Sequence, residues 1–158
     1  AELRLGSEAV DAAFAAIEAG PVSQFRRSDM LNLINPPTLP TPPSNYSHIV
    51  EVPDGTRLAF ISGQIASDAD GNCPDDIAGQ CEQVLRNLES ALMAVGMEIT
   101  DLVRLNAYLI DAGDVATFRE IRDRWAGGHA AASTLVVVAA LASPAWRVEV
   151  EAVAARTK

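Results

Sequence analysis

The side chains best placed for chemistry lie near the end of the chain, where Val148-Glu149-Val150-Glu151-Ala152 alternates apolar and acidic residues. Strand geometry puts Glu149 and Glu151 on one face, roughly 6–7 Å apart. A carboxylate there can exchange protons with a substrate or orient a water. The distance would also suit a glycosidase-type pair. No second feature supports that reading, and a carboxylate on an exposed strand face is by default solvated. Other candidates are weaker. Ser62, in Ser62-Gly63-Gln64, lacks the G-x-S-x-G context of a nucleophile elbow. His48 and His129 have no nearby serine or cysteine with an orienting acid, and they read as surface or loop residues. No Cys or His pair has metal-ligand spacing, so no metal is expected.

Charge and composition narrow the function classes. Eleven of the 12 basic residues are arginine, and the one lysine is Lys158. An internal Schiff-base lysine and a phosphate-loop lysine are therefore excluded. Against 21 acidic residues the formal charge is −9, and no basic stripe offers a surface to nucleic acid. Hydrophobic residues make up 49% of the 158, a globular composition sufficient for one domain with a real core. Cys73 and Cys81 could pair only with each other and the core does not need the bridge, so a reduced, cytoplasmic setting is expected. The longest apolar run, Leu135 to Ala142, falls far short of the roughly 18–20 residues of a spanning helix. The N-terminus lacks a secretory pattern, so neither membrane nor export is expected.

The elements that must position these residues follow from periodicity. Residues 1–29 stand apart: Val10, Phe14 and Ile17 recur at helical spacing and Gly20-Pro21 stops them, giving a helical extension or leader ahead of a domain over 30–158. Five prolines between Asn35 and Pro43 make an extended arm, read as structural rather than as a polyproline recognition ligand. His48–Val52 and Arg57–Ile65 read as strands joined by the turn Pro53-Asp54-Gly55-Thr56. A helix follows, starting near Pro74-Asp75-Asp76, with Ile77, Cys81, Val84, Leu88, Leu92 and Val95 on its buried stripe and Gly96 ending it. Leu102–Ile110 alternates, with Val103, Leu105, Ala107 and Leu109 on one face and Arg104, Asn106 and Tyr108 on the other. Asp114 caps a second helix bearing Phe118, Ile121 and Trp125, closed by Gly127-Gly128; Arg119, Arg122 and Arg124 form its solvated face. Ser133–Leu141 reads as a strand buried on both faces, and Trp146–Ala152 as the last strand. The order β-β-α-β-α-β-β, with hairpins at the ends, gives an α+β fold: one mixed sheet with two helices on one face. The helix-free face then needs cover, most economically from copies of the same chain.

With the elements in place, the chain resembles the Rid family (RidA/YjgF, reactive-intermediate deaminases) over roughly residues 35–155. The matching pieces, in order, are Ser44-Asn45-Tyr46-Ser47-His48, Phe60-Ile61-Ser62-Gly63-Gln64-Ile65, Gln80 with Val84-Leu85-Arg86-Asn87-Leu88, Ala94-Val95-Gly96, and Val148-Glu149-Val150-Glu151-Ala152-Val153-Ala154. The resemblance implies a chorismate-mutase-like fold and a homotrimer with clefts at the subunit interfaces. It implies hydrolysis of imines and enamines to a carbonyl and ammonia, without metal or organic cofactor. Glu149 takes the place of the family's water-activating glutamate, Tyr46 that of a pocket tyrosine, and Ser62 and Gly63 that of a pocket wall where the backbone can approach a ligand. One residue is missing. The family holds the substrate carboxylate with an arginine in a Pro-Ala-Arg-Ser stretch. Here the matching stretch is His129-Ala130-Ala131-Ala132-Ser133-Thr134-Leu135, and that position holds Ala132 or Ser133.

Three substitutes fit the loss. Ser133 and Thr134 could hold a neutral or phosphate-like group, Arg119 could reach the cleft from the second helix, or the ligand could lack a carboxylate. The expected function is hydrolytic deamination of an atypical imine or enamine in a trimer-interface cleft. The alternative is a non-catalytic, small-molecule-binding or regulatory trimer. A ribonuclease or translation-inhibitor role, carried by some relatives, fits a charge of −9 least.

Overall fold

Two helices form where apolar residues recur every three to four positions. In the computed structural model, which describes residues 30–157, α1 spans Ile77–Ala94 and α2 spans Val115–Ala126. The helix expected around Val10, Phe14 and Ile17 lies outside the described residues. Asp76 starts α1 by accepting the Gly79 N–H at 2.8 Å on its Oδ1. The buried stripe is Gln80, Cys81, Val84, Leu85, Leu88 and Leu92. Val95 falls just past the end, 38% exposed, and Gly96 at φ +66° turns the chain. Gly127 closes α2 in the left-handed conformation, as its sequence position requires.

Asp114 occupies the N-cap position of α2 but does not cap it. Its carboxylate instead accepts two bonds from Arg147 Nη2, at 2.9 and 2.8 Å. A guanidinium outcompetes a lone backbone N–H for a carboxylate that is only 6% exposed. The arginines of α2 also divide. Arg124 pairs with Glu120 and Glu82 on the surface, as expected. Arg122 is buried, not solvated: it is 5% exposed and donates to Asp123 and to Ser44 Oγ, where the proline-rich arm covers this end of the helix.

The main sheet contains β3 (Arg57–Ile65), β4 (Leu102–Leu109), β5 (Ala132–Val137) and β6 (Val148–Arg156), in the order β3-β6-β4-β5. β6 runs antiparallel to both neighbours, and β4 and β5 are parallel. Two helices against a mixed sheet confirm the α+β class. The pairing differs from the sequence expectation. Neither end forms a hairpin. β2 (Ile49–Glu51) turns away from β3 and pairs with β1 (Asn32–Ile34) in a separate two-stranded sheet. β6 leaves β5 and enters the middle of the sheet, where Val148, Val150, Ala152 and Ala154 are each at most 4% exposed. So apolar a strand gains more from two neighbours than from an edge. β5 ends at Val137 and lies at the edge, with Val136 40% and Val137 46% exposed, so it is not buried on both faces. In β4 the pairing shifts between Leu102 and Arg104, which turns Leu102, rather than Val103, into the core.

Both helices cover the same sheet face, and Cys81 sits between them and the sheet, fully buried. Burial pushes its thiol up to about 12. The helix-free face leaves Phe60 78% and Leu58 49% exposed. The proline-rich arm has no regular structure and is held by His48, whose N–H donates to Asn35 Oδ1 at 2.8 Å and whose Nε2 lies 2.7 Å from the Pro40 carbonyl.

Candidate functional site

Strand register brings three rows of side chains together on the helix-free face. Phe60, Val153, Arg104 and Ala132 lie side by side across the sheet. The next row holds Glu151, Asn106 and Thr134, and the third holds Ile65, Glu149, Tyr108 and Val136. Rows are separated by two residues, roughly 6–7 Å along the strands.

The two glutamates have opposite environments. Glu151 Oε1 accepts from Asn106 Nδ2 and from the Tyr108 hydroxyl, both at 2.9 Å. Those two bonds hold its carboxyl below the ordinary 4.5, and the same contact raises the Tyr108 hydroxyl above 10. Glu151 is thus committed to the sheet. Glu149 has no hydrogen-bond or ion-pair partner among the described residues. It is half-buried, and its carboxylate lies over the backbone of Gly63. The contact is possible because β3 slips register against β6 between Ile61 and Gln64, so Ser62 and Gly63 sit opposite Glu151. A Cβ built at Gly63 would fall on Glu149 Oε1 and come within 2.8 Å of Cδ. Space, not backbone angle, is what glycine supplies here.

Near this carboxylate runs an open cleft of about 260 Å³, lined by Phe60, Ser62, Arg104, Asn106, Glu151 and Val153; Glu149 stands outside that lining and borders it through Gly63, the neighbour of Ser62. A larger hollow of about 440 Å³ lies on the other flank of β3 against the end of α1, and it offers no carboxylate. The polar cleft beside Glu149 is the candidate site.

The other sequence-derived candidates are spread across the molecule. Ser62 is exposed beside Gly63, next to Glu149. Thr134 shares the Glu149 face, and its Oγ1 is 3.5 Å from Arg104 Nη2. Ser133 pairs with Leu105 and faces the helices, beside Trp125 and His129. Arg119 is exposed on α2, over the opposite face. Tyr46 lies beyond β5, where Ser47 bridges Ala132, and packs edge-on against His48 at 5.7 Å. Three strand spacings, roughly 14 Å, separate it from β6 within one chain. Both histidines have structural partners: His129 Nε2 is 2.7 Å from the Leu102 carbonyl. Among the described residues no cluster of His, Cys, Asp or Glu could hold a metal, and no helix is long and apolar enough to cross a membrane.

One residue of the cleft escaped sequence reasoning. Arg104 was legible only as an outward residue of β4. The parallel pairing makes it the register partner of Ala132, one of the two positions where the resemblance implies an arginine.

The family model described as endoribonuclease L-PSP matches residues 38–156. A rat protein named 2-iminobutanoate/2-iminopropanoate deaminase is 34% identical over 111 residues, covering 69% of this chain and 78% of its own. The crystal structure of YyfB from Yersinia pestis, described as a Rid-family protein of unknown function, superposes with TM-score 0.71 at 35% identity, covering 78% of this chain and 97% of that one. Escherichia coli TdcF, crystallised with bound serine, gives 0.61 at 27% identity, covering 80% and 99%.

Proposed function

Since the chain belongs to the Rid (YjgF, endoribonuclease L-PSP) family, we propose that it is a reactive-intermediate deaminase that hydrolyses an imine or enamine, with Glu149 as its acid–base group. The observation that carries this reading is the contrast between the two strand carboxylates. Glu151 Oε1 is bonded by Asn106 and Tyr108, while Glu149 has no such partner among the described residues, is half-buried and is seated over Gly63 beside the cleft. A carboxylate in that position can take a proton from water as it attacks the C=N carbon. Glu149 returns that proton to the nitrogen, giving a carbinolamine; its hydroxyl proton then passes through the same carboxylate to the nitrogen as the C–N bond breaks, so a carbonyl and ammonia leave and Glu149 is a carboxylate again. An enamine enters the same route once it tautomerises to the imine.

The cleft is completed, in this reading, by a neighbouring subunit of a homotrimer. Support comes from the split of the candidates within one chain: Glu149, Ser62 and Gly63 lie toward the β3 edge, and Tyr46 and Thr134 toward the β5 edge. Phe60 and Val136, exposed on the same face, are apolar surface that association would cover. Ala132 and Ser133, at the positions where the resemblance implies a carboxylate-binding arginine, support a substrate atypical for the family. The deciding assay is ammonia release from imines generated in situ by amino-acid and amine oxidases, with sedimentation to count subunits. Glu149→Gln is expected to lower turnover by about 10²-fold or more, since acid–base groups commonly contribute that much. Equal rates for wild type, variant and buffer would leave a non-catalytic ligand-binding protein as the remaining reading.

A further inference from the structure

We propose that the hollow between β3 and the end of α1 is a second part of the substrate site, so that the substrate carries an extended apolar chain on its imine. The inference rests on the deaminase reading for the reaction, but on the hollow alone for the binding.

The hollow, about 440 Å³, is walled by Leu58, Ala59 and Phe60 of β3, by Ala91 of α1, and by Val95 and Met97 just beyond the helix end. Ala59 and Ala91 carry the shortest of these side chains, so neither fills the space. The two walls are tied together at both ends. Asn87 Nδ2 donates to the Ile65 and Ser67 carbonyls at 2.9 and 2.8 Å, which joins α1 to the end of β3. Arg57 Nη2 donates to the Val95 carbonyl at 2.7 Å, which joins the start of β3 to the end of the helix. The space between these ties is set by the fold and has the size of an ordinary small-molecule site. Leu58, Phe60 and Val95 are exposed, and their removal from water favours an apolar ligand.

The hollow adjoins the candidate cleft. Phe60, Ile61 and Ser62 line both. Ser62 precedes Gly63, over which Glu149 lies, so a carbon chain leaving the reacting centre passes Ser62 and Phe60 and enters the hollow. The two spaces differ in chemistry. The cleft holds Arg104, Asn106 and Glu151, whereas the hollow has no carboxylate and mostly apolar walls. A ligand with a polar head and an alkyl chain satisfies both. Burial of the chain supplies binding away from the reacting atoms, and it compensates for the uncharged Ala132 and Ser133 of β5.

Chain length is the variable that tests this. Binding is read without turnover, by calorimetric titration with 2-butanone, 2-hexanone and 2-octanone. Affinity should rise about three- to fourfold per methylene until the hollow is full, the gain for burying a CH₂ group. In the ammonia assay, imines made in situ by an amine oxidase from butylamine, hexylamine and octylamine should show kcat/KM rising in the same order. Ala91→Phe fills the hollow and should bring the octyl-to-butyl ratio close to one in both assays. Val95→Ser removes apolar surface at an exposed position and should lower that ratio. A circular dichroism melt checks that each variant folds. Binding that does not grow with chain length, or growth undiminished in a folded Ala91→Phe or Val95→Ser protein, would overturn the proposal whatever the ammonia assay shows. Growth of binding that Ala91→Phe abolishes, with no ammonia released from any imine, would sink the deaminase reading and leave the apolar site standing.

Discussion

Replacing Gly63 by alanine tests the site without touching any charged group. The added Cβ would come within 2.8 Å of Glu149 Cδ and 3.1 Å of Cγ, where ordinary contact begins near 3.4 Å. Moving Cδ from 2.8 to 3.4 Å displaces the carboxylate by at least 0.6 Å, and Oε1, on which the Cβ falls, must move further. A misplacement of about 1 Å at a reacting group costs about 10²-fold in rate, equivalent to about 2.7 kcal/mol of barrier. The fold should barely notice. Alanine in a strand is better than glycine by roughly 0.5–1 kcal/mol, and pushing Glu149 off its rotamer returns about 0.5–1.5 kcal/mol. The expected outcome is a kcat/KM about 10²-fold lower for imine hydrolysis with a melting temperature within a few degrees of wild type. Full activity in a well-folded Gly63→Ala protein would refute the placement of Glu149 against β3 as the source of its reactivity.

The remaining predictions concern stability and titration. Removing Arg147 leaves the Asp114 carboxylate, 6% exposed, without its two bonds. Arg147→Ala should therefore cost about 2–3 kcal/mol, measured by urea unfolding. Asn106 and Tyr108 hold the Glu151 carboxyl below 4.5 in the folded protein. A depressed folded pKa gives stability that is fully present above the unfolded value and lost as pH falls through the folded one. Glu151→Gln should flatten the fall in melting temperature below about pH 4.5, and an unchanged acid limb would count against the pairing. Cys81 is fully buried with its thiol near 12, so a disulfide reagent at pH 8 should leave it unmodified until the protein is unfolded.

Local chemistry was legible in the sequence, and long-range pairing was not. Asp76, the Cys81–Leu92 stripe and Gly127 specify helix ends and a buried face through contacts a few residues apart. The alternation around Glu149 fixed which residues share its face. The partner strand was another matter. Pro53–Thr56 reads as a hairpin turn because its local chemistry is that of a turn, yet β2 pairs with β1, and no nearby residue records that choice. The same limit hid Arg104. Its outward direction followed from the β4 alternation, but its relation to Ala132 depends on a parallel crossover through α2. Asp114 shows a third kind of limit: its position marks a cap, and only the fold brings Arg147 to its carboxylate.

The place of β6 in the sheet has a consequence for synthesis. β3, β4 and β5 all precede it, yet β3 reaches the other two only through β6. While the chain is emerging from the ribosome, β4 and β5 can pair, but β3 has no partner strand and only α1 can pack against it. The sheet closes only when Val148–Arg156 has been made and inserted, a step dominated by contacts distant in sequence and slow for that reason. Glu149 arrives with that strand. A chain interrupted before it would thus lack the sheet's centre and the candidate carboxylate together, so a partly built protein has no route to partial activity.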